Sequence, residues 1–87
     1  MEELLGRMVV STKGRDKGKQ YVVIEIIDSY FVRVADGTKK LVSAGKRKSK
    51  HHIALTECTD KITMDWTDSR QGDDRIVKFL SIANKEG

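Results

Sequence analysis

The sequence predicts a mainly β fold, a small barrel of five short antiparallel strands followed by a C-terminal α-helix. Three observations carry that expectation. Short runs of alternating apolar and polar residues fill the stretch from residue 7 to residue 56. Glycines and turn-forming pairs separate those runs at close intervals. Beyond them, Ile76, Val77, Leu80 and Ala83 recur at helical spacing. Closure is the usual way for so short-stranded a sheet to hide its edges, hence a barrel.

In the first strand, Arg7 to Thr12, Met8 and Val10 lie on one face and Val9 on the other. The second, Gln20 to Asp28, sets Val22, Ile24 and Ile26 on one face against Tyr21, Glu25 and Ile27. Asp28-Ser29 signals a tight turn, and Tyr30 to Ala35 follows as a strand with Tyr30, Val32 and Val34 alternating against Phe31 and Arg33. Asp36-Gly37 is the strongest hairpin signal in the chain, returning it as a fourth strand from Lys39 to Ser43. Residues 44–50 then read as a basic loop and His51 to Thr56 as a fifth strand. Ile62, Met64 and Trp66 alternate in an ambiguous stretch, with Trp66 a packing residue that joins tail to barrel. A helix at about residues 72–84 would carry Asp73 and Asp74 in its first turn and Lys85 at its end, as the helix dipole favours. The expected division is a barrel over 1–58 and an extension over 59–87 whose helix packs on it.

At 87 residues the chain has room for one modest core. Its formal charge is +4, unevenly spread: 12 Lys and Arg against 6 Asp and Glu in residues 1–52, then 5 against 7 in residues 53–87. A basic body with a mildly acidic tail suits a polyanion, and nucleic acid is the commonest one in a cell. A single cysteine excludes an intrachain disulfide and fits a reducing compartment. No signal-peptide pattern opens the sequence, and no apolar run is long enough to span a membrane, so the cytoplasm is expected.

The charge concentrates in a glycine-spaced loop. Gly6, Gly14 and Gly18 punctuate a segment holding Lys13, Arg15, Lys17 and Lys19, and an apolar strand follows directly. Glycine permits the positive φ that would hold those cations together on a tight turn. A second cluster, Lys46, Arg47, Lys48 and Lys50, adjoins His51 and His52.

This glycine spacing resembles the KOW motif. Gly6-Arg-Met-Val-Val, Val23-Ile-Glu-Ile-Ile-Asp28, Val32-Arg-Val-Ala-Asp-Gly37 and Lys46-Arg-Lys-Ser-Lys-His-His-Ile-Ala-Leu-Thr56 follow one another much as in the archaeal and eukaryotic large-subunit ribosomal protein fourteen family and its compact bacterial relatives. The resemblance covers about residues 5–57. It implies a five-stranded SH3-like barrel, the KOW domain, that binds structured RNA, above all ribosomal RNA, without catalysis. The chain departs from the pattern at Ser11, where the motif often has an apolar residue. It departs again after Thr56, where the tail lacks the long basic helix of the ribosomal relatives.

The RNA-contact candidates are therefore Lys13, Arg15, Lys17, Lys19, Tyr21, Lys46, Arg47, Lys48, Lys50, His51 and His52, with Gly6, Gly14, Gly18, Asp36 and Gly37 shaping the turns. Tyr21, Tyr30 and Phe31 can each stack on an unpaired base. Its alternation with Val32 and Val34 assigns Tyr30 to the core, and Tyr21, beside the basic loop, stays a candidate. A metal site from His51, His52 and Cys58 is disfavoured, because on a strand His51 and Cys58 face opposite ways and His52 lies ~20 Å from Cys58 at ~3.3 Å per residue. Asp60, Asp65 and Asp68 have no evident catalytic partner, and the glycine loop lacks the Gly-Lys-Ser/Thr ending of a P-loop. No enzyme, cofactor or metal is expected. The expectation is a cytoplasmic RNA-binding protein, monomeric when free, whose partner is ribosomal RNA or the large ribosomal subunit. The rival is a protein-interaction module that docks on transcription or translation machinery through Ile76, Val77, Leu80 and Phe31.

Overall fold

The computed structural model describes residues 4–56, 61–62 and 69–86, with side chains in the last segment described for 70–82. Strands β1 (Met8–Ser11), β2 (Gln20–Ile26), β3 (Phe31–Ala35), β4 (Lys46–Ser49) and β5 (Ile53–Leu55) precede one helix, α1 (Ser69–Glu86). All pairings are antiparallel, in the order β4-β3-β2-β1-β5, which is that of a small SH3-like barrel. The readings at Cys58, Met64, Trp66, Asp60, Asp65 and Asp68 fall outside the described residues, as do the side chains of Ala83 and Lys85.

The central strand β2 is buried on both faces, and this organises the molecule. Tyr21 and Val23 join Val9, Val32 and Val34 in the barrel interior. Val22 and Ile24 face the other way, packing with Met8, Ala35, Val42, Ile62 and the helical residues Ile76 and Leu80. The helix thus covers the outer face of the sheet. Strict alternation fails at Ile24, where a bulge shifts the β2–β3 register between Val23 and Glu25. Beyond it Ile26 turns into the interior cluster instead of sharing a face with Val22 and Ile24.

Several boundaries differ from expectation. Residues 39–43 do not form the fourth strand; Val42–Ala44 is a single 3-10 turn, with Val42 buried. The fourth strand is instead Lys46–Ser49, inside the stretch read as a loop. Asp36-Gly37 does not close a two-residue hairpin either. The Asp36 carboxylate accepts from the backbone N–H groups of Thr38 and Lys40 and wraps a longer connection. That connection is seated on α1: Asp73 Oδ1 accepts from Val42 N at 2.7 Å, satisfying the first N–H of the 3-10 turn. Helix α1 starts three residues earlier than expected, so Asp73 and Asp74 lie beyond its first turn.

Tyr30 is a further correction. It precedes β3 and is 66% exposed, while Val32 and Val34 fill the interior. The Asp28 carboxylate accepts from Tyr30 N at 2.7 Å and Phe31 N at 2.8 Å, and this turn carries Tyr30 out of the strand's alternation.

Candidate nucleic-acid interface

The loop between β1 and β2 is built by its own backbone. Ser11 N donates to Lys19 O, Gly18 N to Ser11 O and Lys19 N to Asp16 O, each within 2.9 Å. Gly18 has φ +92°, which lets the chain turn back into β2. Lys13, Arg15, Lys17 and Lys19 all stand exposed on this loop.

Its one acid, Asp16, points the other way. The Ser11 hydroxyl (2.8 Å) and the Lys48 ammonium (2.9 Å) donate to Oδ1, while the Tyr21 hydroxyl (2.8 Å) and the Lys46 ammonium (3.3 Å) donate to Oδ2. Four donors saturate the carboxylate. Lys48 is equally well provided, with three N–H donors and three acceptors: Asp16 Oδ1, Ser11 Oγ at 3.0 Å and Lys13 O at 3.3 Å. Such pairing is what lets a lysine lie 7% exposed at the end of a barrel. Burial alone would raise the Asp16 carboxyl, but the bonds from Lys48, Ser11, Tyr21 and Lys46 outweigh it and hold the group well below the usual carboxylate range. Burial and the adjoining Asp16 charge push the Tyr21 hydroxyl well above its ordinary value.

This cluster redefines the candidate set. Tyr21, 1% exposed, is an interior residue tied to Asp16 and offers no ring to a base. Lys48 is likewise no surface cation, its charge being spent on Asp16. The second basic cluster divides by strand alternation, with Lys46 and Lys48 turned toward Asp16 and Arg47 turned outward. Arg47 is exposed and lies over the Phe31 ring, 4.5 Å from its centroid. Lys50, His51 and His52 form a 3-10 turn, and Thr12 N donates to His52 O at 2.8 Å, bringing that turn beside the basic loop.

The sequence reading missed Asp16, Lys39 and Lys40. A lone carboxylate among four cations was the available signal for Asp16. For the two lysines there was none, because the long connection replaces an expected strand. Arg15, Lys19, Lys39, Lys40 and Lys46 line a cleft of about 230 Å³, with Asp16, Tyr21 and Asp36 on its walls. Among the described residues no group of three His, Cys, Asp or Glu side chains could hold a metal ion. No helix among them is long and apolar enough to cross a membrane.

The arrangement can bind anions over a broad basic end above a hydrogen-bonded polar cluster. The chain is similar to the large ribosomal subunit protein eL14 of several archaea. The protein of Sulfolobus acidocaldarius is 42% identical over 57 residues, which are 66% of this chain and 56% of that protein. Those of Aeropyrum pernix and Pyrobaculum islandicum are 36% and 40% identical over 81 residues, 91% of this chain and 74% and 72% of theirs. Against the Sulfolobus protein and that of Desulfurococcus amylolyticus, the chain spans little more than half the relative's length, 56% in each case. No protein-family model matches the chain.

Proposed function

This chain belongs to the family of the large ribosomal subunit protein eL14, and on that premise we propose that it is a non-enzymatic RNA-binding protein that contacts ribosomal RNA, as a component of the large subunit or in its assembly. The observation that carries the reading is the basic end of the barrel. Lys13, Arg15, Lys17 and Lys19 project into solvent from a loop whose own acid is buried and fully paired. With that acid neutralised inward, the exterior of the loop is purely cationic.

The mechanism is phosphate recognition. Exposed cations on the loop and along the adjoining cleft neutralise backbone phosphates and release condensed counterions, and the rigid loop geometry selects RNA by shape. Ile76 and Leu80, two of the four residues through which the rival protein-interaction module would work, lie in the interior while Val77 is exposed, which supports this reading over docking through the full set.

The test is a titration of a structured ribosomal RNA fragment at several salt concentrations. Wild-type affinity is expected to fall steeply with salt. Replacing Lys13, Arg15 and Lys17 together by Ala should weaken binding and reduce the slope of log affinity against log salt by roughly two to three. A triple variant with wild-type affinity and slope overturns the assignment.

A further inference from the structure

The Asp28 turn lies at the Phe31–Ser49 end of the β3–β4 ladder and is joined through Lys50 to the 3-10 turn that adjoins the basic loop. Val34 pairs with Lys46 at the ladder's other end, ~10 Å away at ~3.3 Å per residue. Three features single the turn out. Tyr30 is exposed, and its backbone is fixed on both sides: N–H to Asp28 Oδ1 and C=O accepting from Lys50 N at 2.8 Å. Next to it in sequence, Phe31 carries the Arg47 guanidinium over its ring, 4.5 Å from the centroid. The local acid is engaged by backbone, since the bonds from Tyr30 N and Phe31 N hold the Asp28 carboxyl below its ordinary range. Exposure alone would not mark Tyr30 out, but here an exposed ring on a hydrogen-bonded turn adjoins an aromatic residue already paired with an arginine.

We propose that this turn is a nucleobase platform, on which an unpaired base of the RNA stacks against Tyr30 while the Arg47–Phe31 pair takes the flanking nucleotide. The inference rests on the RNA-binding reading and adds to it the class of RNA: a loop, bulge or end with splayed bases, not an uninterrupted duplex. Side chains of this kind recognise unpaired bases by stacking on aromatic rings and guanidinium planes. The phosphates would be held at the basic end and the base at the turn, both along one edge of the barrel formed by β3 and β4.

The experiment uses two RNA probes of equal length, a hairpin with 2-aminopurine in its single-stranded loop and a fully paired duplex. Wild-type protein should quench the 2-aminopurine emission. Tyr30→Ala should bind the hairpin roughly five- to a hundredfold more weakly, with an unchanged salt slope and nearly unchanged duplex binding. Tyr30→Phe should behave as wild type, and all three proteins should melt alike because Tyr30 is exposed. A Tyr30→Ala protein that binds both probes as wild type does, or loses equally on both, overturns the platform and leaves the basic-end reading standing. If Tyr30→Ala keeps its RNA affinity but fails to join large subunits, the turn meets a protein and the platform is again wrong. Wild-type protein that binds neither probe removes both readings at once.

Discussion

Asp16 is the residue on which the basic end depends. Its carboxylate holds a buried lysine, a buried tyrosine and Ser11, the polar residue that departs from the apolar strand pattern at that position. Asp16→Ala would strand Lys48 without a counter-charge, which costs about 3 kcal/mol or more. The expected outcome is a large drop in melting temperature, with Lys48→Ala also destabilising and Arg47→Ala close to neutral. The pH dependence has a definite sign. Asp16 is held below its unfolded value, so its contribution is complete above an unfolded pKa near ~4 and is lost as pH falls through the folded value. Tyr21 is raised, so its contribution is complete below ~10 and is lost as pH rises further. Thermal melts across pH should show wild-type stability falling on the acid side, and Asp16→Asn should be less stable at neutral pH with a shallower acid slope. Two glycines offer a second comparison. A Cβ at Gly18 meets no atom within 4 Å, so only its φ of +92° opposes substitution, and Gly18→Ala should cost ~1–2 kcal/mol. At Gly37 a Cβ would lie 2.5 Å from Asp73 O and 2.8 Å from Val77 Cγ2 as well as at φ +81°. Gly37→Ala should therefore destabilise more than Gly18→Ala in the same melt, and the reverse order would contradict the packing of this loop on α1.

Among the elements, β4 shows why part of the site was illegible in the sequence. Its residues, Lys46-Arg47-Lys48-Ser49, contain nothing apolar, so hydropathy cannot see a strand there. The inward positions are lysines that pair with Asp16, Lys48 buried and Lys46 half-exposed, so ion pairs to a residue 30 or more positions away replace hydrophobic contacts. The Asp36-Gly37 signal misleads for a related reason: Asp36 folds back on its own following backbone, and Gly37 is there for close approach to α1. By contrast β1, β2 and β3 were legible, because their alternation answers to two apolar environments, the interior and the helix. The bulge at Ile24 and the Asp28 turn each shift that alternation by one step, and they are what misassigned Ile26 and Tyr30. Helix α1 was legible from its spacing because its apolar residues divide cleanly: Ile76 is fully buried and Leu80 nearly so, whereas Val77 is partly exposed. Ile76→Ala should cost ~2–4 kcal/mol, and Val77→Ala much less. A melt in which the two variants match would mean that the helix does not cover the sheet.

At the scale of the molecule, the fold divides labour between its two packed faces. One face of the sheet carries α1 and provides much of the apolar core, while the barrel interior is closed at one end by the Asp16 cluster. The exposed cations are thereby set on a loop held by its own backbone hydrogen bonds and by the Asp16 cluster, and a loop already ordered in this way limits the entropy cost of binding an anion. The fold class and the first basic loop could be read from local spacing, and the family from its resemblance in four ordered blocks between Gly6 and Thr56. The cleft could not, because Lys39 and Lys40 reach Arg15 and Lys19 only through the way the long connection is seated on α1. Binding of ribosomal RNA by the basic end is tested by ultraviolet crosslinking in the protein's own cells followed by sequencing of the attached RNA. Large-subunit ribosomal RNA should dominate the recovered sequences, at discrete positions, and the Lys13, Arg15 and Lys17 to Ala variant should lose those crosslinks. Recovery of no RNA above an uncrosslinked control, or of a mixture without ribosomal enrichment, would contradict it.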